Sequence, residues 1–498
     1  MKDLLSRYHP RYVRSLVYMM QASEYRVRDF LRWFWRVRDF LHVEQRKELF
    51  MTSKSLLCLA VGYGFLFILY ALAIAVLVWG IAWWQYPVFL LIILTSPFIL
   101  VCVVSVFLII VNFLQQPIEY VIIRQVGQKL AGHRGLKIAI AGSFGKTSMR
   151  EILKAVLGTG RKVAAPPESY NTPLGISRFV RTLKGDEDVL IFELGEYYPG
   201  DVRRLCRLIR PDIGVITGVN EAHLERFKDI ERTRKTIFEL ADFLHEKPLS
   251  PCIASEKGGN GMNTGATFGV KVYINGENAT ARKYTRARDV LYSRAGTGDW
   301  RVEDAKTDLN GSSFILRSDS RTIRAHSALL GLHHVGPLAV AADVASRLGL
   351  PTGQIEDGIV KTKPFDHRLE PKTNAQGVTI LDDSYNGNPD GVRAVIEFLS
   401  SLKGARRWYV TPGLVEMGKK KEEVHKEIGR ELSRAGIEKV ILIRNSVTPF
   451  IERGLQEGKY CGEVMWFSKA LGAFAALPNF TVKGDVVLLQ NDWPDQYA

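Results

Sequence analysis

One long stretch of this 498-residue chain has no charge at all: from Ser55 to Ile118 there is no Asp, Glu, Lys or Arg. Sixty-four uncharged residues in a row exceed a buried core segment and far exceed a signal peptide. Cysteine is also scarce. The five are Cys58, Cys102, Cys206, Cys252 and Cys461, with no Cys-x-x-Cys pair, which excludes a disulfide framework and a structural zinc site. No nucleic-acid-binding motif accompanies the formal charge of +15. Six of those units come from residues 1–54, where twelve Lys/Arg face six Asp/Glu, so nucleic acid is excluded as the reason for the basic balance. Hydrophobic content of 46% excludes wholesale disorder, and the length suggests two to four domains.

At about 1.5 Å per residue, the uncharged stretch is long enough for two membrane-crossing helices. The sequence predicts one over about 56–83 and one over about 88–113, with Trp83, Trp84, Gln85, Tyr86 and Pro87 as an interfacial turn. The basic N-terminal segment and the uncharged turn place both ends of this hairpin in the cytoplasm. The expected localisation is therefore the cell (inner) membrane, multi-pass, with the later domains cytoplasmic. Before the first span, Arg26-Val-Arg-Asp-Phe-Leu31 recurs as Arg36-Val-Arg-Asp-Phe-Leu41. Val27, Phe30, Phe34, Val37 and Leu41 form one helical stripe among arginines. Such a helix suits either anionic lipid or the protein's own surface.

Beyond Gly135, short apolar runs alternate with amphipathic stretches, which predicts parallel sheets flanked by helices. The expected strands are Lys137–Ala141, Val189–Glu193 and Ile213–Thr217, then Val378–Leu381, Trp408–Thr411, Val440–Ile443 and Val486–Leu489. Residues 258–325 read as an antiparallel excursion or a loop-rich insert. The expected division is 1–134, 135–363 and 364–498. The fold class is α/β: the N-terminal hairpin, then a first α/β domain with a P-loop-type glycine loop at Gly142–Ser148 and a Rossmann-like C-terminal α/β domain.

The run Ile138-Ala-Ile-Ala-Gly-Ser-Phe-Gly-Lys-Thr-Ser148 is a strand, a glycine loop and a helix start. That is what a phosphate cradle requires. Gly142 and Gly145 let backbone N–H groups of the loop, Ser143 and Ser148 among its residues, converge on phosphate oxygens. Lys146 reaches the phosphates and Thr147 can touch Mg²⁺. The full P-loop spacing wants glycine where Ile140 stands. Glu193 and His223 follow two other predicted strands, where a carboxylate and an imidazole suit a divalent ion bound with ATP. Each alone reads first as a helix cap or a solvated loop residue, and their shared position relative to the phosphate loop is what points to the ion. The run Asp382-Asp-Ser-Tyr-Asn386 puts carboxylates at a strand end in the last unit, and Arg368 sits at the inter-domain junction.

Together these pieces resemble the Mur ligase family, most closely its MurF type. The resemblance rests on Gly142–Ser148, Asn171-Thr-Pro-Leu-Gly175, Glu193-Leu-Gly-Glu-Tyr-Tyr-Pro-Gly200, Arg210-Pro211 and His223-Leu-Glu225. His367-Arg-Leu369, Asp382–Pro389 and Glu416-Met-Gly418 continue it in the family's order. The resemblance implies a ligase of peptidoglycan precursor synthesis that uses ATP and Mg²⁺. It activates a muropeptide carboxylate as an acyl phosphate, which an amine such as D-alanyl-D-alanine then attacks. Lys146 would hold the transferring phosphate, Thr147 one Mg²⁺, and Glu193 and His223 the other. Arg368, Asp383, Tyr385 and Asn386 would engage the nucleotide, and His334 stands where the family has an adenine-site asparagine. The lipid bilayer and envelope-synthesis proteins are the further partners implied.

Three departures bear on this. The membrane segment stands in place of the family's UDP-sugar domain. The family's carbamylated lysine aligns with Ile237, two residues from Lys235, and its C-terminal lysine-glycine-serine-arginine motif is replaced by Gln490-Asn-Asp-Trp-Pro494. A Mur-type ligase acting on a lipid-linked or polyglutamate-like substrate, and a nucleotide-binding membrane scaffold without ligation, are the alternatives.

Overall fold

The computed structural model describes residues 6–37, 39–41, 43, 49–80, 83–167, 170–221, 227, 229–246, 272–365, 367–384, 387–415 and 417–491. The chain divides into two compact units, Met1–Val121 and Ile122–Asp492.

In the first unit, helices Tyr12–Ala22 and Val27–Phe34 precede two much longer ones, Ser53–Trp79 and Gln85–Gly132. Thr52 starts the first long helix with a capping box: its Oγ1 accepts from Ser55 N at 3.1 Å while Ser55 Oγ accepts from Thr52 N at 2.7 Å. Lys54 Nζ donates to Asn112 Oδ1 at 2.7 Å and Gln115 Oε1 at 3.0 Å. The Tyr70 and Ser96 hydroxyls meet at 3.3 Å further along, so the two helices run antiparallel. Their mean hydropathies reach 2.5 and 2.8, and both are long and apolar enough to cross a membrane. Phe67, Ile68, Val78 and Trp79 on one and Leu91, Val106 and Phe113 on the other are exposed.

Two expectations need correction here. The second long helix does not end near Phe113 but runs on to Gly132, through Pro117. Hydropathy marks where a helix can leave lipid, whereas backbone hydrogen bonding sets where it ends, and here the helix runs past Gly127 to Gly132. From Ile122 onward its residues belong to the second unit, where Val126 and Leu130 are buried. The stripe from Val27 to Leu41 is not one helix either. The helix stops at Phe34, and Phe40 folds back to pack edge-on against Tyr12 at 5.2 Å between ring centroids. Phe30, Phe34 and Phe40 are buried with Leu16, Met19, Leu100 and Leu108, and Leu41 is left exposed. The aromatic face is thus covered by the unit's own helices.

The second unit holds two sheets. The first runs β10-β9-β8-β7-β6-β5-β4-β1-β3-β2. Its parallel half comprises β1 (Leu136–Ala141), β2 (Val163–Ala164), β3 (Val189–Glu193), β4 (Ile213–Ile216), β5 (Val272–Asn275) and β6 (Val290–Ser293). The antiparallel continuation is β7 (Gly296–Thr297), β8 (Trp300–Asp308), β9 (Gly311–Arg317) and β10 (Thr322–Ser327). The excursion expected over 258–325 is only partly of that kind: residues 258–271 lie outside the described residues, β5 and β6 are parallel strands of the main sheet, and only β7 to β10 form an antiparallel meander that extends it. Ile138, Ile140 and Ile191 face one core with Met149, Leu153 and Leu338, while Ala139, Ala141 and Phe192 face the other with Leu205 and Leu240. Alternation across two helical layers is why these strands are apolar at all positions but Lys137 in β1 and Glu193 at the end of β3.

The second sheet runs β11-β12-β16-β13-β14-β15. Its strands are β11 (Glu370–Thr373), β12 (Thr379–Asp383), β13 (Arg407–Thr411), β14 (Lys439–Ile443), β15 (Glu463–Phe467) and β16 (Val486–Gln490). All pair in parallel except β11 with β12.

Candidate active site

In the first sheet β1 lies between β3 and β4, with Ile140 opposite Glu193 and Ala141 opposite Ile216. The carboxyl ends of all three strands therefore open at one place, where ligands bind in parallel sheets. The loop leaving β1 turns through Gly142 at φ +149° and Gly145 at φ +71°. A Cβ on Gly142 would collide with the Thr217 hydroxyl, which itself donates to Phe144 O. Ser143 N donates to Gly218 O at 2.9 Å, and the loop delivers its chain into helix Lys146–Leu157. Glycine is required because the backbone must approach β4 this closely with positive φ.

Lys146 Nζ donates to Gly142 O and to Glu196 Oε1, the latter at 2.6 Å. Thr147 Oγ1 donates to Glu193 Oε2 at 3.2 Å, and the other Glu193 oxygen pairs with Arg150 at 2.8 Å. Arg150 lies one turn beyond Lys146, on the same helical face. The Arg150 and Glu193 side chains are 4% and 3% exposed, so the pair is almost fully desolvated.

A cavity of about 370 Å³ opens beside this loop. Gly145 and Ser148 line it from the first sheet, His334 from the turn before helix Val335–Arg347, and Arg368, Asp383 and Gln490 from the second sheet. Ser143 Oγ accepts from Asn220 N at 3.3 Å. Asn220 Nδ2 in turn donates to Asn388 Oδ1 at 2.9 Å and Asp390 Oδ2 at 2.8 Å, tying the loop to helix Pro389–Ser401 beyond β12. Lys420 pairs with Glu221 at 3.1 Å and Arg294 NH2 with Glu397 Oε2 at 2.7 Å across the same gap.

The electrostatics of the walls differ. His333 and His334 pack against each other with 4.0 Å between centroids and their ring planes tilted by 43°. Burial, reinforced by Arg294, pushes His333 down to about 4, and burial with His333 and Arg368 nearby lowers His334 well below its usual value. Both imidazoles are therefore neutral at physiological pH and offer an uncharged, stackable wall. Asp383 is half-buried at the cavity wall. Burial pushes it up to about 7, against the pull of Arg368 and of Gln490, whose Nε2 donates to it at 2.7 Å.

The structure thus gathers Gly142, Ser143, Gly145, Lys146, Thr147, Ser148 and Glu193 at one set of strand ends. Arg368, Asp383 and His334 stand around the adjoining cavity. His223, Tyr385 and Asn386 lie outside the described residues. Lys235 is exposed on helix Ile230–Glu246, and Ile237 is buried in the core. The described residues hold no group of three or more His, Cys, Asp or Glu set to bind a metal. Thr147 and Glu193 nevertheless offer adjacent hard oxygen donors, the type Mg²⁺ takes, so they fit that ion as ligands. Sequence reasoning gave no role to Glu196, Arg150, Asn220 or Gln490. The signals were there for two of them: Arg150 is four residues after Lys146, and Gln490 ends β16 opposite Asp383.

Comparison with known proteins agrees with this geometry. The Mur ligase middle domain matches residues 140–345, and the Mur ligase glutamate ligase domain matches residues 367–490. The chain belongs to the Mur ligase family. The UDP-N-acetylmuramoyl-tripeptide–D-alanyl-D-alanine ligase of Mycobacterium tuberculosis is 30% identical over 316 residues, 61% of this chain and 58% of that one. The chain thus spans less than two thirds of that relative. The enzyme of the same name from Bacillus subtilis is 24% identical over 354 residues, 71% of this chain and 72% of the relative. Among solved structures, MurF from Thermotoga maritima in complex with ADP superposes with a TM-score of 0.61 at 22% identity. That match covers 75% of this chain and 80% of that one, and shows the shared fold.

Proposed function

We propose that this chain is a membrane-anchored, ATP- and Mg²⁺-dependent ligase that joins D-alanyl-D-alanine to a muropeptide through an acyl phosphate. The observation that carries the reading is the placement of Lys146, Thr147 and Glu193 at adjacent strand ends, beside a cavity closed from the second sheet by Arg368 and Asp383. Phosphoryl transfer to a carboxylate needs positioning and neutralised charge more than bond-making groups from the protein. Lys146 supplies a fixed ammonium for the transferring phosphate, and the loop's N–H groups hold the rest. Thr147 and Glu193 would hold Mg²⁺, which supplies charge neutralisation when bound. The neutral histidine wall suits the flat face of a nucleobase. The contacts of Asn220, Glu221 and Arg294 with the second sheet's helices would keep water from the labile acyl phosphate.

The two long apolar helices support the anchor, with the basic N-terminal segment on the cytoplasmic side. In a direct test, the purified chain should release phosphate only when muropeptide tripeptide, D-alanyl-D-alanine, ATP and Mg²⁺ are all present. Lys146→Ala should release none. One observation favours a second reading, a nucleotide-binding scaffold: Lys235 is exposed and Ile237 lies in the core, so neither position offers a buried lysine for a carbamate. Nucleotide binding without phosphate release under any acceptor and amine would decide for the scaffold.

A further inference from the structure

The phosphate-loop lysine is already occupied. Lys146 Nζ lies 2.6 Å from Glu196 Oε1, and the two side chains are only 14% and 3% exposed. Around it, Arg150 is paired with Glu193. Two cations, Arg150 buried and Lys146 largely so, therefore face the buried Glu193 and Glu196, with the partly exposed Glu151 also on Arg150, and these groups leave no surplus positive charge to offer an incoming polyphosphate. A phosphate oxygen reaching Lys146 must replace or share Glu196, which sets two negative groups side by side in a poorly solvated site. Like charges at such short range repel, and a cation between them relieves the repulsion. Glu196 and Glu193 both lie at the end of β3 and both touch the first turn of helix Lys146–Leu157, at Lys146 and Thr147. One divalent ion with hard oxygen ligands fits the charge left there.

Resting on the nucleotide-site reading, we propose that Glu196 is a positioning residue that couples nucleotide to metal: its carboxylate holds Lys146 in place and makes nucleotide binding depend on a divalent cation. The pair keeps the ammonium aimed at the loop, where Gly142 O also holds it, and sets the condition under which phosphate gains it. Free nucleotide meets a neutralised lysine and a repelling carboxylate. Nucleotide arriving with Mg²⁺ releases the lysine and neutralises Glu196 in one event.

The test uses the full chain in detergent and reads ADP affinity by calorimetry, once in saturating Mg²⁺ and once in a chelator. The unsubstituted chain should bind ADP about 100-fold more tightly with Mg²⁺, at the upper end of ordinary coupling factors. Glu196→Gln, which keeps the shape and removes the charge, should shrink that ratio to about 10-fold or less, mainly by tightening the Mg²⁺-free binding. Glu196→Asp should retain most of the coupling. An unchanged ratio in Glu196→Gln, or weaker Mg²⁺-free binding, would overturn the inference while leaving the proposed function intact. No ADP binding by the unsubstituted chain under either condition would overturn both. Should the glutamine variant fail to unfold cooperatively, the linkage is read from the other side in the unsubstituted chain. ADP must tighten Mn²⁺ binding, followed by electron paramagnetic resonance, by the factor by which Mn²⁺ tightens ADP binding, because linkage is reciprocal. Mn²⁺ affinity indifferent to ADP contradicts the inference.

Discussion

Replacing Arg150 by methionine should destabilise the nucleotide-binding domain more than any surface change could. The guanidinium lies 2.8 Å from Glu193 Oε1, with the two side chains 4% and 3% exposed. Removing one partner of a desolvated ion pair leaves the other as an uncompensated buried charge, at a cost of about 3–5 kcal/mol. The second partner of Arg150, Glu151, is 25% exposed and adds little. For a domain of roughly 200 residues, each kcal/mol moves the melting midpoint by about 2–4 °C, so Arg150→Met should lower it by about 6–20 °C. Differential scanning calorimetry of the full chain in detergent reads this in the transition that ADP shifts. Arg150→Met/Glu193→Gln, which removes both charges, should recover a large part of the loss. Mg²⁺ should raise the midpoint of Arg150→Met more than that of the parent, because it can supply the charge Glu193 has lost. A single variant within about 1 °C of the parent, or a double variant no better than the single, would refute the reasoning.

Three further outcomes are expected. Glu193→Gln should cost about 100-fold or more in turnover, as expected when positioned charge is lost, while Lys235→Ala, exposed on its helix, should cost under about 3-fold; short carboxylic acids should not alter it. A dead Lys235→Ala rescued by such acids would show that Lys235 bears the carbamate. Asp383 is raised from 3.8 to about 7, so the folded chain keeps a proton that the unfolded chain releases between about pH 4 and 7. Stability therefore falls as pH rises through that window, and Asp383→Asn should gain on its parent across it and stay level above, in urea titrations at stepped pH; parallel curves would contradict this. Finally, a cysteine placed at Gln85 in a cysteine-free background should react with an impermeant maleimide from outside the cell, and one at Gly135 should not. Protection at Gln85 or reaction at Gly135 defeats the membrane hairpin.

Much of the fold could be read from patterns of local origin. The strands around the phosphate loop are continuous apolar runs because both sheet faces are covered, and β3 (Val189–Glu193) falls where its run predicts. The glycine loop was legible because Gly142 and Gly145 have backbone geometry that other residues adopt poorly. What hydropathy could not give was the end of the second long helix, set by backbone hydrogen bonding beyond Pro117. Nor could a stripe of five apolar residues reveal that Phe40 would fold back onto Tyr12, since that contact joins positions distant in sequence. The same holds in the site. Lys146, Thr147 and Glu193 stand in short motifs, whereas the Asn220–Asn388–Asp390 link and the Glu196 contact arise only when loops from separate strands converge.

In the proposed reaction the acceptor's own carboxylate takes the phosphate before the amine attacks. In that sequence a carboxylate oxygen attacks the terminal phosphorus, ADP leaves, and the amine then displaces phosphate from the carbonyl carbon. The oxygen that attacked departs with the phosphate. Muropeptide tripeptide labelled with ¹⁸O in its terminal carboxylate, incubated with the full chain, ATP, Mg²⁺ and D-alanyl-D-alanine, should therefore yield one ¹⁸O in the released phosphate per amide bond formed, read by mass spectrometry. Product formed with unlabelled phosphate, or label recovered in AMP, would contradict the account.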